Sequence, residues 1–342
     1  MTALSAADGA GGAATRDPRG MDLRLEQFRV ELIGYCYRML GSAFEAEDAV
    51  QETLVRAWRS LDRFDEDRAP LRSWLYTIAT NICLDMLGSA QRRARPMDLG
   101  PSAHAGPGLG APLPDSAWIQ PIPDSRALPA DGDPAELAAQ RDTIRLAFIA
   151  ALQHLPPRQR AVLILRDVLC WKADEVARLL GTTVPSVASG LQRARATLRA
   201  LHLAPAEPFQ PMNQAQQQLL ARYCDAFERY DVETLVSLLH EDATMSMPPF
   251  PWWLRGRADI RRALLAAERP CEGARLVPTV ANGSPAYAQY RLGGLHSGYQ
   301  PFALMVVELS GGLISETTTY LDVERLFPLF GMPSGTRAVI SS

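Results

Sequence analysis

Eight prolines fall between residues 96 and 129, at Pro96, Pro101, Pro107, Pro112, Pro114, Pro121, Pro123 and Pro129. A pyrrolidine ring removes a backbone donor and fixes φ, so no regular helix or central strand runs through this stretch. The chain divides there, and 96–133 reads as an extended linker between folded blocks. It is not a bare spacer. Trp118-Ile119-Gln120-Pro121-Ile122-Pro123-Asp124 is an apolar island, and a tryptophan in a linker predicts docking on a folded surface.

The linker leaves a helical block at 21–95 and a second at 134–203. A Pro-rich hinge at 204–211 leads to a third block at 212–330 and a tail at 331–342. The chain of 342 residues is long enough for two or three such cores. Residues 1–20, rich in Ala and Gly, lack the apolar core of a signal peptide and read as a disordered extension, with Met21 an alternative start. Five scattered cysteines without a CxxC pair argue against a zinc module and a disulfide framework, and suit a reducing cytoplasm. No stretch approaches the roughly 20 apolar residues of a membrane span. No metal, cofactor or membrane partner is expected. The net charge of −3 does not itself point to nucleic acid.

Locally the charge tells a different story. Residues 178–202 hold Arg178, Arg193, Arg195 and Arg199 and no acidic residue, an electrostatic footprint on an otherwise neutral chain. They lie in KADEVARLLGTTVPSVASGLQRAR, Lys172 to Arg195. Val176, Leu179 and Leu180 have helical spacing; Gly181 suits a turn with positive φ; Thr182 or Thr183 can cap the next helix, with Pro185 in its first turn. This is a helix-turn-helix. Val187 and Leu191 point inward, while Ser186, Ser189, Gln192, Arg193 and Arg195 present hydroxyl, amide and guanidinium groups suited to a major groove. A plain helical hairpin with a solvated basic face fits the same residues.

In the first block, Phe28, Leu32, Tyr35, Cys36 and Met39 form an amphipathic stripe. An acidic helix start follows at Glu45–Glu52 and continues into Trp58. The helix Arg72–Leu87 mixes aromatic and polar residues, as a surface that holds unstacked bases requires. Trp74 and Ile78 are assigned to the core, and Tyr76, Asn81 and the terminal arginines to the outside.

The AEDAVQETLVRAW helix, the SWLYTIATNICLDMLGSAQRR helix, a linker, then LPPRQRAVLILRDV running into the helix-turn-helix resemble, over about 25–203, the sigma-70 family. More narrowly they resemble the extracytoplasmic-function (ECF) sigma factors that keep regions 2 and 4. The resemblance implies that Asp48, Gln51, Glu52, Arg56 and Trp58 bind the β′ clamp of core RNA polymerase. It further implies that Tyr76, Asn81, Asp85, Arg92 and Arg93 contact the −10 promoter element, and that Ser186, Ser189, Gln192, Arg193 and Arg195 read the −35 element. The loop Asp62–Pro70 would capture a flipped base, and Asp65, Glu66 and Asp67 make it unusually acidic. Arg158 and Arg160 are candidates for phosphate or β-flap contact. Ala188 and Gly190 stand where the family commonly has basic residues. The linker would thread toward the polymerase active-site cleft.

The third block reads as helices Met212–Tyr230, Val232–Leu239 and Arg257–Leu264, with strands at Thr279–Tyr290, Phe302–Leu309 and Leu313–Leu321. It resembles a SnoaL-like α+β cone, as carried by the SigG-like group of ECF factors. The expected architecture is therefore multidomain: two all-α sigma domains, a region 2 helical bundle and a region 4 helix-turn-helix, plus an α+β SnoaL-like cone-shaped barrel. Tyr223, Phe227, Met245, Trp252, Trp253, His296 and Tyr299 are candidate pocket residues. Asp225, Asp242 and Asp259 are carboxylates that the sequence does not place inside the cone, and no catalytic residue is assigned. The expected function is promoter recognition and strand opening with core RNA polymerase, the third domain modulating activity through a small-molecule ligand or intramolecular contacts. Whether an anti-sigma protein takes part is left open. A SnoaL-like isomerase or cyclase and a one-component ligand-sensing DNA-binding regulator are the alternatives.

Overall fold

The computed structural model describes residues 23–67, 69–88, 92–103, 108–201, 212–266, 271–293 and 298–333. The expected N-terminal extension with Met21, the hinge 204–211, His296 and most of the C-terminal tail lie outside them.

Region 2 is built on α1 (Arg29–Leu40), α2 (Ala43–Arg59) and α3 (Leu71–Leu87). Gly41, at φ 72°, ends α1, and Ser42 caps α2 by accepting from the Glu45 amide. The amphipathic reading of α1 predicts one buried stripe, yet Leu32 to Leu40 are buried all round. The reason is position. α1 touches α2 and α3 on one side and the linker turn and region 4 on the other.

Region 4 comprises α4 (Pro134–Asp142), α5 (Leu146–Gln153) and α6 (Pro157–Leu163), the last running into a π-helical turn at Ile164–Val168, then α7 (Ala173–Leu179) and α8 (Val184–Ala200). Gly181 (φ 59°) makes the turn before α8, and Thr183 caps it by accepting from the Ser186 amide at 3.3 Å. Cys170, also at positive φ, swings the chain so that Trp171 points back toward region 2.

In the third domain, α9 (Gln214–Glu228), α10 (Val232–Ser237) and α11 (Arg257–Leu264) accompany a six-stranded mixed sheet of order β2-β1-β6-β5-β4-β3. Its strands are β1 (Leu239–Ser246), β2 (Trp253–Arg255), β3 (Arg275–Ala281), β4 (Ser284–Leu292), β5 (Tyr299–Ser310) and β6 (Leu313–Tyr320), followed by α12 (Val323–Leu329). β1 and β6 are parallel and the other pairings antiparallel. The sequence reads Thr279–Tyr290 as one strand. The structure instead folds it into the β3–β4 hairpin, Asn282 (φ 56°) and Gly283 (φ 74°) forming its two-residue turn.

Strand alternation then distributes the cores. Tyr287, Met305 and Val307 face the helices of the cone. Their neighbours Ala286, Leu304 and Val306 face the other way and join a single apolar core with regions 2 and 4 and the island residues Ile119 and Ile122. The sheet is buried on both faces. The linker, read as extended, carries short helical turns at Pro96–Leu99 and Asp124–Ala127, and among its described residues it is docked chiefly at 117–128. Its island is buried, Trp118 at 3% exposure.

Candidate nucleic-acid and polymerase interfaces

The α2 residues expected to meet polymerase share one outer face. Asp48, Gln51, Arg56 and Trp58 are exposed and Glu52 half-buried, while Ala46, Ala49, Val50, Thr53 and Leu54 point inward. Glu52 pairs with Arg56 at 2.6 Å, an i,i+4 bridge that orders the face more than it stabilises the fold. Trp58 is 57% exposed. A large apolar ring left in water is a surface that gains from a partner.

On α3 the residues divide. Asn81 and Asp85 are exposed, and so is Arg92 beyond it. Tyr76, expected to face out, is instead fully buried: its ring lies 5.0 Å from Tyr35 and 4.9 Å from Trp171 of region 4. Arg72 sits 5.3 Å from the Tyr76 and Trp171 ring centres and bonds Glu31 at 3.1 Å. Burial pushes the Tyr76 hydroxyl well above its ordinary range. Arg93 is a second correction. It is 7% exposed, ion-paired with Glu45, and donates to the carbonyls of Asp115 and Trp118 at 2.8 and 2.9 Å. Tyr76 is covered by region 4, and Arg93, beyond the end of α3, by the linker; the periodicity of one helix shows neither. Trp74, assigned to the core, is half-buried and stacked on Phe64 at 4.6 Å.

In region 4, Ser186, Gln192, Arg193 and Arg195 are exposed and Ser189 half-buried on one side of α8, opposite Val187, Leu191 and Ala194. Arg193 donates to the Ser189 hydroxyl at 2.7 Å, and Arg195 grips Asp167 through two bonds of 2.8 and 2.6 Å. Arg158 is exposed, whereas Arg160, expected to contact phosphate or polymerase, is 3% exposed and holds carbonyls of Met39, Gln153 and Leu155.

The expected pocket of the third domain divides as well. Tyr223 and Phe227 are buried in the cone against Tyr287 and Met305, with Met245 and Trp252 packed alongside. Trp253 does not line the cone: its indole donates to the Gly100 carbonyl at 3.0 Å, and its own carbonyl accepts from the Ala103 amide at 2.8 Å, tying down the linker. Tyr299 lies on the opposite face with Ala288, Tyr290 and Phe327. Asp225, Asp242 and Asp259 pair with Arg229, Arg255 and Arg262 rather than entering the cone.

One site was missed by the sequence reading. At the hairpin tip, the Asn282 carboxamide donates to the Tyr37 hydroxyl at 2.7 Å and the Ile144 carbonyl at 2.6 Å. Its oxygen accepts from the Ile122 amide at 2.9 Å. The next amide, Gly283, donates to Asp124 at 2.8 Å. Region 2, the linker and region 4 thus meet at one buried asparagine. The signal was an Asn-Gly pair between alternating apolar residues. Nearby, Glu308 of β5 accepts from the Ser284 hydroxyl at 2.6 Å and faces Arg145 of region 4 at 3.5 Å. Burial pushes its carboxyl up to about 7 against the pull of Arg145.

Two helical domains, one with a helix-turn-helix whose second helix is free and the other with a covered aromatic helix, have the layout expected of a promoter-recognition factor. Comparison with known proteins agrees: sigma-70 region 2 matches residues 25–93, sigma-70 region 4 matches 145–198, and a SnoaL-like domain matches 220–317. The ECF RNA polymerase sigma factor SigG of Mycobacterium tuberculosis is 43% identical over 90% of this chain and 82% of its own length. SigJ of the same organism is 32% identical over 65% of this chain and 62% of its own. The crystal structure of SigJ shares the fold, with a TM-score of 0.58 and 21% identity over 93% of this chain and all of that one. The chain belongs to the ECF sigma factors. It is a promoter-specificity factor and not itself an enzyme.

Proposed function

We propose that the described arrangement is a closed resting form of the factor, held shut by its third domain. The observation that carries this is the Asn282 knot, which bonds both sigma regions and the linker at once. The −10 and −35 elements are separated by roughly 25 base pairs, or about 85 Å of duplex at about 3.4 Å per pair. Regions in contact through Tyr76 and Trp171 do not span that distance. Promoter recognition therefore requires the seam to part, releasing Tyr76 and Arg93 to join Asn81, Asp85 and Arg92 on −10 DNA.

In the open form α2 docks on the β′ clamp through Asp48, Gln51, Glu52, Arg56 and Trp58, and region 4 reaches the β flap. Ser186, Ser189, Gln192, Arg193 and Arg195 then read the −35 duplex, phosphate contacts fixing register and base contacts the sequence. The freed linker enters the polymerase cleft. The third domain does internally what a separate anti-sigma protein does for other factors. Among the described residues no helix is long and apolar enough to cross a membrane, and the factor works beside cytoplasmic polymerase.

The test is reconstituted transcription with core RNA polymerase on a promoter library, comparing the native chain with Asn282→Ala. Promoter-specific transcripts that rise several-fold in the variant support the reading. Equal output from both chains removes the clamp, and no transcript from either counts against the promoter assignment.

A further inference from the structure

Between the sigma regions lies a cleft of about 400 Å³, within the size range of small-molecule sites. Region 2 contributes Arg92, Arg93 and Glu45 to its walls, the linker Ser116, and region 4 Arg160. Three guanidinium groups face one carboxylate, and that carboxylate is ion-paired with Arg93. Arg92 has no carboxylate partner among the described residues. It donates instead to His154 Nδ1 at 2.9 Å, which fixes that imidazole nitrogen as an acceptor. Burial and the adjoining Arg92 charge hold His154 below its ordinary range. Arg160 is the more telling group. It is 3% exposed, it is met by neutral oxygens alone among the described residues, and its Nε has no hydrogen-bond partner there.

A buried guanidinium without a counter-charge is costly unless an anion is close. The cleft as a whole carries two more positive charges than negative. Met86 and Leu155 add an apolar wall. We infer that this cleft binds a small phosphorylated molecule, a phosphomonoester dianion paired with the exposed Arg92 guanidinium within the positive field of the buried Arg160, whose compact apolar body lies along Met86 and Leu155. Guanidinium forks match phosphate oxygens, so this chemistry suits arginine better than lysine. The competing occupant is the backbone of a promoter strand, since Arg92 and Arg93 also stand at −10 positions. The geometry favours the small molecule. Arg160 and Ser116 complete the walls only while the two regions are together, the form that excludes promoter DNA; the inference rests on that reading. A ligand bound to both regions also adds its binding free energy to the closed form.

Titration calorimetry of the full chain with phenyl phosphate at constant ionic strength tests the site. Small-angle scattering on the same samples reports whether the chain is closed. The expected result is one site per chain, at least tenfold tighter for phenyl phosphate than for sulfate. Arg92→Gln and Ser116→Glu, both at exposed positions, each weaken it at least tenfold with unchanged melting in the absence of ligand. No binding to a compact chain overturns the site and leaves the closed form standing. An extended chain that binds nothing overturns both. Equal response to sulfate, or binding unaffected by both substitutions, also overturns the site. So does failure of phenyl phosphate to bind where a −10 single strand binds and is weakened by the same substitutions.

Discussion

The ring centres of Trp171 and Tyr76 lie 4.9 Å apart at 51° between ring planes, and they join the two domains that the proposed open form separates. Arg72, bonded to Glu31, closes the cluster from above both rings. Tilted aromatic contact and a cation over two rings together contribute about 1–3 kcal/mol. Trp171→Leu keeps an apolar side chain but loses most of this. Binding of a single-stranded −10 oligonucleotide should rise about fivefold or more, and unchanged binding would show that Tyr76 is not what the seam withholds.

The hairpin tip is the second clasp between the domains. Asn282→Ala leaves the Ile122 amide and Ile144 carbonyl short of a partner, at about 1–3 kcal/mol for each group left unsatisfied, while the Tyr37 hydroxyl keeps its bond to the Gln120 carbonyl. Alanine also tolerates the left-handed backbone of this turn less well than asparagine. The expected outcome is a larger radius of gyration in solution scattering and faster proteolysis of the linker, with both sigma domains still helical. A radius and cleavage rate equal to the native chain would contradict it.

Glu308 makes the junction sensitive to pH. Its carboxyl is raised from 4.5 to about 7 in the closed form, so that form holds the proton more tightly than an open chain does. The facing groups are Arg145, Glu316 and Arg95. The proton's contribution is full below about pH 4.5 and is lost as pH rises through about 7. Linker proteolysis should accelerate between pH 6 and 8, and Glu308→Gln should flatten that slope. A slope preserved in the variant would assign the effect to another group.

The proposed −35 surface on α8 is already free. Arg193→Ala should weaken binding of a −35 duplex by about 1–3 kcal/mol, roughly 5- to 150-fold. The exposed position of Arg193 predicts no change in melting temperature. Undiminished binding in a mobility-shift titration would move recognition off α8.

The double substitution Asp48→Ala and Gln51→Ala should lower affinity for core polymerase without altering stability, because both side chains lie on the outer face of α2. A pull-down with purified core enzyme reads this directly. Full retention would relocate the docking face.

Much of this was legible in the chain. The Gly181 turn, a threonine cap at 182 or 183 and the outward set on α8 follow from local chemistry, and the structure puts the cap at Thr183. The docking of Trp118 was legible in its apolar surroundings. What failed was anything decided between domains. Tyr76 sits at a helix position that reads as surface, and Trp171, more than ninety residues away, turns it into core. The resemblance assigns Arg93 to the −10 element and Arg160 to phosphate or the β flap, yet in this structure backbone carbonyls of other segments hold both. Asn282 was overlooked because the alternation on either side runs through it as if it were strand.

The apolar core that runs from α1 through the island to the outer face of the sheet has a consequence for how much factor a cell needs before anything is transcribed. If the closed form is favoured by about 3 kcal/mol, roughly one molecule in 150 is open at any instant, and apparent affinity for polymerase drops by the same factor. Output then follows the opening equilibrium as directly as it follows abundance. A shift of about 1.4 kcal/mol at the Asn282 knot or the Glu308 junction changes occupancy of polymerase about as much as a tenfold change in synthesis. The core thus acts as a threshold, and the hairpin that plugs into it sets where that threshold lies.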